Sequence, residues 1–342
     1  MENMTSPADR DGALGVLLLH MGGPRDQREV RPFLYRLFAD PDMIRLPTPV
    51  RLPLAALISL ARARAARERY ALMGGGSPSV PQVTALAQRV EVALREAGAD
   101  AVVEPAFLYC GQNADAALAR LVARGARRFA AVSEYPQYSA TTTGASLRAL
   151  TRALRRGTHL AVPRTLAGFP VVRTWHDAPL LVEMWAESIG RALADGFPAG
   201  ARPYLLFSAH GLPESYVRRG DPYEREVRAS VAAIAACFPQ LDHGLAFQSR
   251  VGPVKWLGPE VVKETARLAA AGRREILLVA ISFLTDHVET LVELDVELAR
   301  DAAKAGVTRL VRAPAPATSP LAARALAAAV LAADSVRREG AR

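Results

Sequence analysis

The chain has 342 residues, enough for about two domains with a large core, and its formal net charge is +9. All but three of its 43 basic residues are arginine and they do not form a run interleaved with aromatic residues, which argues against nucleic-acid binding and leaves anionic small molecules and membrane surfaces as partners. Residues 1–12 are polar and no window holds 18 consecutive apolar residues, so we expect a cytoplasmic protein without a secretory signal or a membrane-spanning helix.

Strand-like apolar segments alternate with helical patterns in the first half of the chain. The segments predicted as strands are 13–20, 101–109 and 129–132. A helix at 78–97 is predicted to end at Gly98, and Asn113 is a good N-cap for a helix that ends near Gly125. Short apolar strands separated by helices predict a parallel sheet that is covered on both faces.

The segment at residues 49–66, called the lip below, departs from this alternation. It packs leucines and an isoleucine ahead of an arginine-rich helical run. Its apolar residues have two interpretations. They either cover the core, or they form an exposed amphipathic surface that lies against a membrane beside the mouth of a cleft.

The second half of the chain repeats the alternation. Its predicted strands are 204–207, 245–247, 276–283 and 308–311. Pro259 occupies a first-turn position of a helix that ends near Gly272, and the last helix, at 320–338, follows Ser319 as its N-cap. Gly, Pro and Thr interrupt the pattern at 157–169, where we place the seam between two domains.

The fold class that follows is α/β, with two doubly wound parallel sheets. We predict an N-terminal domain at 13–162 and a C-terminal domain at 163–342, and we expect the last helix to pack across both. Two α/β halves that face each other define a cleft, which is the usual place for a small-molecule site.

His210 stands where the predicted strand 204–207 gives way to a loop. In open α/β sheets ligands gather beyond the carboxyl ends of the strands, and an imidazole there can act as base, acid or metal ligand near neutral pH. A single histidine at a strand end is also commonly structural. The role of His210 therefore depends on what lies beside it.

Four carboxylates follow the predicted strand 276–283 at helical spacing. The members of this acidic stripe are Asp286, Glu289, Glu293 and Glu297. At roughly 100° per residue they share one side of a helix, while Val288, Leu291 and Val292 face away. The stripe is either a solvated face or, because it begins at a strand end, a set of carboxylates that overlooks the same crevice as His210. Carboxylates with an imidazole suit a divalent metal ion.

Two glycine-rich turns lack the spacing of nucleotide-binding motifs. Neither the turn at 20–24 nor the turn at 74–78 contains Gly-x-Gly-x-x-Gly or leads into Gly-Lys-Ser/Thr. A nicotinamide dehydrogenase would share the fold class but would need the first motif. A two-lobed small-molecule binding protein would share the architecture but would need a secretory signal.

A series of motifs stands in order along nearly the whole chain: LLLHMGGP with VRPFLYRLFAD, YALMGGGSP, YPQYSATTTGASL, FSAHGLPESYVRRGDPY, QSRVGPVKWLGP and ISFLTDHVETLVELDVE. This series resembles the ferrochelatase family, whose members insert Fe(II) into a porphyrin. Any one of them is weak, whereas the ordered set is specific. The resemblance implies two Rossmann-like domains with the macrocycle in the central cleft and no nucleotide.

The resemblance also implies roles for individual residues. His210 is the active-site histidine and Glu289 its partner carboxylate, both at the iron site. Asp286, His287 and Glu293 extend the polar wall, and the family carries a locally widened helix at the acidic stripe. The residues that match porphyrin-contacting positions are Met21, Tyr70, Ser77 and Trp256, with Trp175, Leu37 and Phe38 as weaker matches. The lip corresponds to the family's membrane-facing mouth.

The chain departs from the family pattern at several positions. Leu108 occupies the position of a usual arginine, and His20 that of a usual asparagine. Some relatives bind a [2Fe-2S] cluster through four cysteines, whereas Cys110 and Cys237 are the only cysteines here and cannot hold one. We therefore expect no cluster and no other cofactor, with Fe(II) as a substrate.

The function implied is that of a lyase that inserts Fe(II) into protoporphyrin IX to form protohaem, the terminal step of haem biosynthesis. Met21 favours protoporphyrin IX, because coproporphyrin-using relatives usually carry a tyrosine there. Coproporphyrin III is the alternative substrate. Besides protoporphyrin IX and ferrous iron, we expect weak peripheral contact with the inner face of the cell membrane and no nucleic-acid partner.

Overall fold

The structure, a computed structural model, describes residues 12–157, 161–250, 252 and 254–340. Nearly all of the polar N-terminal stretch, residues 158–160 of the predicted seam and the last two residues of the chain lie outside the described residues. Two four-stranded parallel sheets flanked by helices form the described part, which confirms the α/β class.

The first sheet is built from the first half of the chain. Its strands are β1 Ala13–His20, β2 Ala101–Phe107, β3 Ala126–Ser133 and β4 Val171–Val172, in the order β2-β1-β3-β4. Every residue of β1 is buried, as expected for a central strand covered on both faces. β4 lies past residue 162 but pairs with β3, so the first sheet contains residues from both sides of the predicted domain boundary. The division of the chain into two domains stays a prediction.

The second sheet has the same topology. Its strands are β5 Tyr204–His210, β6 His243–Gln248, β7 Glu275–Val279 and β8 Arg309–Arg312, in the order β6-β5-β7-β8. β5, like β1, lies in the interior of its sheet. The carboxyl end of β5 therefore sits between those of β6 and β7.

Two strand ends near the acidic stripe differ from the predictions. β5 continues through His210, so this ring projects from the last residue of a strand and not from a loop. β7 ends at Val279, well before residue 283, because the chain turns there. In that turn the Ile281 amide donates to the carbonyls of Ser208 (3.1 Å) and Val279 (2.9 Å). Apolar character alone does not show where a strand stops.

Helices connect the strands and cover the sheets. Those of the first half are α1 Val30–Ala39, α2 Thr48–Ala71, α3 Ser79–Glu96, α4 Ala114–Ala123 and α5 Ala145–Arg156. Those of the second half are α6 Pro179–Gly196, α7 Glu214–Val217, α8 Tyr223–Ala235, α9 Val261–Ala270, α10 Val288–Leu291, α11 Ala299–Lys304 and α12 Pro320–Gly340. Shorter turns are the π-helices Ala140–Gly144 and Glu293–Leu298 and the 3₁₀ turns Leu166–Gly168 and Pro316–Thr318.

Most of the predicted helix ends are confirmed. Gly98, just past α3, has the left-handed φ of +83° that only glycine adopts without strain. Asn113 accepts the amide of Ala116 (3.1 Å) as the N-cap of α4, and Ser319 caps α12 in the same manner. The prediction for Pro259 is wrong, because it precedes the N-cap of α9 and does not lie in the first turn.

One buried apolar cluster joins the two sheets. Leu18 of β1, Phe207 of β5 and Trp185 of α6 all belong to it. The last helix, α12, contacts α3 from the first half of the chain and α6 from the second. The apolar core is therefore continuous between the two sheets.

Candidate active site

His210 and Glu289 lie together at the carboxyl end of the second sheet. His210 ends β5, and Glu289 lies in the first turn of α10, which follows β7. The two atoms that approach are His210 Nε2 and Glu289 Oε1, 3.4 Å apart. About a third of each side chain is exposed, 37% and 31%, so a ligand can reach both. The structure thus brings together the two residues predicted for the metal step.

The His210 ring is oriented by its own backbone. Nδ1 lies 2.6 Å from the Gly211 carbonyl, and because a carbonyl only accepts, Nδ1 carries a proton and Nε2 faces Glu289. Tyr223 donates its hydroxyl to the His210 carbonyl (3.0 Å), and the His210 amide donates to the Ser282 hydroxyl (3.3 Å). Tyr223 and Ser282, neither of which was predicted, therefore fix the end of β5.

The two groups form an ion pair at neutral pH. Burial alone would lower the pKa of His210, but the Glu289 carboxylate outweighs burial and raises this pKa to about 9. Burial alone would raise the pKa of Glu289, but the charge and hydrogen bond of His210 lower it to about 2. At pH 7 the ring is therefore an imidazolium and its partner a carboxylate.

Residues at the end of β6 form hydrogen bonds with Glu289 and Glu293. The Ser249 amide donates to Glu293 Oε1 (2.6 Å) and the Ser249 hydroxyl to Oε2 (2.7 Å). Gln248 Nε2 donates to the backbone carbonyl of Glu289 (2.8 Å), and Gln248 Oε1 accepts the Ser208 hydroxyl (2.7 Å). Neither Gln248 nor Ser249 was predicted from the sequence. They lie at the end of a strand beside β5, and they could be identified from that position once the strand order is known.

Asp286 and His287 precede α10 and shape its start. His287 is the N-cap, because its Nδ1 accepts the Glu289 amide (3.1 Å) while Thr290 Oγ1 accepts the His287 amide (3.0 Å). Asp286 accepts the Thr290 hydroxyl (2.9 Å) and is paired with Arg312 of β8 (3.0 Å). Both predicted residues thus lie at the site, and they position the backbone that carries Glu289.

The acidic stripe does not lie on one regular helix, which corrects the prediction. Asp286 precedes α10, and α10 ends at Leu291. The next turns, Glu293–Leu298, form a π-helix in which the Glu297 amide donates to the Val292 carbonyl five residues back (2.9 Å). The locally widened helix that the resemblance implies is therefore present.

Within the stripe, Glu293 and Glu297 have different surroundings. Burial raises the pKa of Glu293, and the charge of Glu289 raises it further. Glu297 is instead paired with Arg69 of α2, with 2.9 Å between Oε2 and Nη2. No hydrogen bond among the described residues joins Glu297 to His210 or Glu289. Glu297 links the lip helix to the π-helix.

The residues predicted to contact a porphyrin come from separate segments. Met21 follows β1 and is partly exposed. Tyr70 of α2 is buried, and burial followed by the charge of Glu289 raises the pKa of its hydroxyl. Trp256 packs over Gly211, where a Cβ would lie 3.2 Å from the indole ring. Trp256 thus borders the residue that follows His210.

Ser77 is engaged within the protein. Its hydroxyl pairs with Ser79 (2.9 Å), and its amide donates to the Pro24 carbonyl (2.7 Å). A groove of about 500 Å³ opens beside it, lined by Arg25, Ser77, Val80, Pro81, Thr84, Ala85 and Gln88. His210 and Glu289 do not line this groove. Among the described residues no hydrogen bond connects Ser77 with the ion pair.

The weaker matches make no hydrogen bond or ring contact with the pair among the described residues. Trp175 is buried in the core, where its indole N–H donates to the Ser133 carbonyl (3.0 Å). Leu37 and Phe38 lie on α1, and the Arg62 guanidinium is 5.7 Å from the centre of the Phe38 ring. Trp175 therefore fills the core, and Phe38 contacts the lip.

The described residues contain no group of three or more His, Cys, Asp or Glu side chains arranged to hold a metal ion. The His210–Glu289 pair supplies one nitrogen and one carboxylate. None of the described helices combines the length and the apolarity needed to cross a bilayer.

Comparison with known proteins places this chain in a family. The profile of the ferrochelatase family matches residues 13–334. A ferrochelatase of Phenylobacterium zucineum (strain HLK1) is 44% identical over 310 residues, which cover 89% of this chain and 86% of the relative. A ferrochelatase of Synechococcus sp. (strain JA-2-3B'a(2-13)) is 40% identical over 322 residues, which cover 92% and 91%.

A solved structure shows the same fold. SirB from Bacillus subtilis with Fe3+ superposes with a TM-score of 0.51 at 14% identity, over 74% of this chain and 91% of that one. At this identity the likeness concerns the fold alone, whereas the curated relatives match in sequence over nearly their full length. The chain therefore belongs to the ferrochelatase family, whose members are porphyrin metal-chelatase lyases.

Proposed function

We propose that this chain inserts Fe(II) into protoporphyrin IX, with His210 and Glu289 acting together in the metal and proton steps. The observation that carries the residue assignment is the 3.4 Å approach of His210 Nε2 to Glu289 Oε1 at a strand end where both side chains are partly exposed. Membership of the family supports the class of reaction. Coproporphyrin III is the alternative porphyrin.

Metal insertion makes three chemical demands. Fe(II) loses bound water, two pyrrole N–H protons leave, and the flat macrocycle exposes its nitrogen lone pairs. A nitrogen and a carboxylate oxygen suit Fe(II) as replacements for water. Walls held by two packed sheets suit a bent porphyrin, because a rigid site can favour the distorted ring over the flat one.

The protonation of the pair sets the order of events. An imidazolium has no free lone pair, so His210 first gives its Nε2 proton to solvent, which reaches the partly exposed ring. Fe(II) beside Glu289 promotes that release, because positive charge disfavours the imidazolium. The neutral ring then accepts one pyrrole proton as the general base and the Glu289 carboxylate accepts the other, while Glu293 extends the polar wall of the site.

An anaerobic assay of the purified protein with Fe(II) tests this function and the choice of porphyrin. We expect haem formation, with kcat/KM about tenfold or more higher for protoporphyrin IX than for coproporphyrin III, because the Met21 thioether suits an apolar vinyl edge and leaves an extra propionate without a partner. Met21→Tyr should reduce this preference. A clear preference for coproporphyrin III would overturn the substrate assignment, and no iron insertion with either would overturn the function.

Three leucines of the lip are exposed. Leu52, Leu57 and Leu60 of α2 are 37%, 64% and 58% exposed. Leu54 and Ile58 are half-buried, and the positions that α2 buries fully in this stretch are small: Ala55, Ser59 and Ala63. The three exposed leucines therefore do not cover the core, and the alternative interpretation, a weak membrane-binding surface, is the one that we propose.

Vesicle binding tests this surface. The exposed leucines can bury apolar area while Arg62, Arg64 and Arg67 meet anionic headgroups, so the protein should sediment with anionic vesicles in a salt-sensitive manner. Leu57→Ser with Leu60→Ser should weaken binding roughly tenfold. Val336→Ser on α12, an apolar residue that is 70% exposed outside the lip, is the matched control. Absence of binding at low salt would contradict the proposal.

A further inference from the structure

Arg312, the last residue of the edge strand β8, forms ion pairs with two aspartates that lie on either side of Glu289 in the sequence. Its Nε donates to Asp295 Oδ1 (2.7 Å) and its Nη2 donates to Asp295 Oδ2 (2.8 Å), so this contact is bidentate. The same Nη2 lies 3.0 Å from Asp286 Oδ1. One guanidinium therefore binds both ends of the segment 286–295.

Burial makes these ion pairs well defined. The Arg312 side chain is 10% exposed, and those of Asp286 and Asp295 are 22% and 34% exposed. Ion pairs that are partly buried are screened less than pairs at the surface, and an arginine bound at two points to a carboxylate is fixed in orientation as well as in position. Each aspartate therefore has a defined place relative to β8.

At the first end of the segment, Asp286 connects the guanidinium with α10. Asp286 Oδ1 accepts the Thr290 hydroxyl (2.9 Å), and Thr290 Oγ1 accepts the His287 amide (3.0 Å). Thr290 is fully buried, so its side chain has little freedom to turn away. The first turn of α10, which carries Glu289, is thus joined to β8 through Asp286.

At the second end, Asp295 connects the guanidinium with the π-helix Glu293–Leu298. This π-helix has six residues and α10 has four, and helical segments of this length are not stable by themselves. A pocket of about 300 Å³ is lined by residues of the sheet and of the helical turns above it: Leu278, Leu294, Asp295, Ala299, Leu310 and Arg312. Apolar packing is incomplete at this point, and the ion pair joins the π-helix to the sheet there.

We propose that Arg312 is a positioning residue for iron insertion. By binding one aspartate at each end of the segment, it sets the backbone of Glu289 opposite His210. The proposal rests on the proposed function, because the step that Arg312 serves is the one assigned to Glu289. Loss of the guanidinium should loosen residues 288–298 and slow the chemical step, while the residues assigned to porphyrin binding, which belong to other segments, are retained.

Hydrogen exchange of the full-length protein, followed by mass spectrometry, tests this restraint without an assay of iron insertion. In Arg312→Gln the amides of residues 288–298 should exchange about tenfold or more faster, whereas those of α9 and α12 should be unchanged. Initial rates should show kcat lowered about tenfold or more, with KM for protoporphyrin IX unchanged within about twofold. Arg312→Lys keeps the charge but not the planar fork, so both effects should be present and smaller.

The matched control is Arg309→Gln on the same strand. Arg309 is paired with Glu275 at the start of β7 (3.5 Å) and donates to the Gly196 carbonyl at the end of α6 (2.8 Å). This variant should leave kcat and the exchange of residues 288–298 unchanged even if it lowers the thermal stability. Unchanged exchange of that segment in Arg312→Gln, or faster exchange along the whole chain, would overturn the proposal.

A second variant keeps the proposal testable if Arg312→Gln does not fold. Asp295→Asn removes the charge of the more exposed aspartate, and it should accelerate exchange of residues 288–298 and lower kcat by about threefold. No change in either quantity would contradict the proposal equally. Because hydrogen exchange does not depend on iron insertion, failure of the proposed function is seen separately, as an unsubstituted protein that forms no haem.

Discussion

Replacement of His210 by alanine is expected to lower iron insertion by about a thousandfold or more while leaving porphyrin binding intact. A positioned general base is typically worth between about a hundred and ten thousandfold, and here the same ring also offers a metal ligand. The side chain is partly exposed, so its loss removes little core volume, and Tyr223 and Ser282 still hold the backbone of β5. Anaerobic initial rates together with a fluorescence titration of porphyrin binding separate the two effects.

The control for this variant is His243→Ala. His243 begins β6, at the opposite end of the neighbouring strand, and is exposed. It should insert iron at close to the unsubstituted rate. Near-normal turnover by His210→Ala, or equal losses in the two variants, would remove the basis for the assignment of His210.

Glu289→Gln is expected to reduce kcat by about a hundredfold or more, because the amide keeps the volume but removes the charge. That charge favours Fe(II), and the carboxylate also accepts protons, which an amide does not. The Gln248 bond to the Glu289 carbonyl and the His287 cap involve backbone atoms only, so the position of residue 289 should be retained. Single-turnover rates at saturating porphyrin measure the effect on the chemical step.

Two further glutamate variants show whether the loss depends on the position of the carboxylate in the acidic stripe. The charge of Glu289 acts on Glu293, which is itself bound by Ser249, so Glu293→Gln should cause an intermediate loss of about tenfold. Glu297 is paired with Arg69 and has no bond to the ion pair, so Glu297→Gln should be nearly silent. Equal losses in all three variants, or no loss at Glu289, would indicate that the carboxylates form a solvated face.

Much of the fold can be predicted from the sequence, because strands that are buried on both faces are short apolar runs. His210 and Glu289 are predictable for a related reason. Each lies at or after the carboxyl end of such a run, and ligands of parallel sheets bind at the carboxyl ends of the strands. The two-residue strand β4 carries no such pattern. It is too short for periodicity to show.

Other parts of the site depend on information that periodicity does not hold. Gln248 and Ser249 act because β6 lies beside β5, and strand order is a tertiary property. In the π-helix at Glu293–Leu298 each backbone hydrogen bond spans one residue more than in an α-helix. The spacing of apolar residues in the sequence does not show this difference, so it predicts a regular helix.

The central claim is that His210 and Glu289 act as one unit on iron and the pyrrole protons. The most direct test compares single-turnover rates of iron insertion, with enzyme in excess of protoporphyrin IX, for His210→Ala, Glu289→Gln and the double variant. Residues that act as a unit show strongly non-additive losses, so the account predicts that the double variant is no slower than His210→Ala alone. Losses that multiply in the double variant would show that the two residues act independently and would contradict the account.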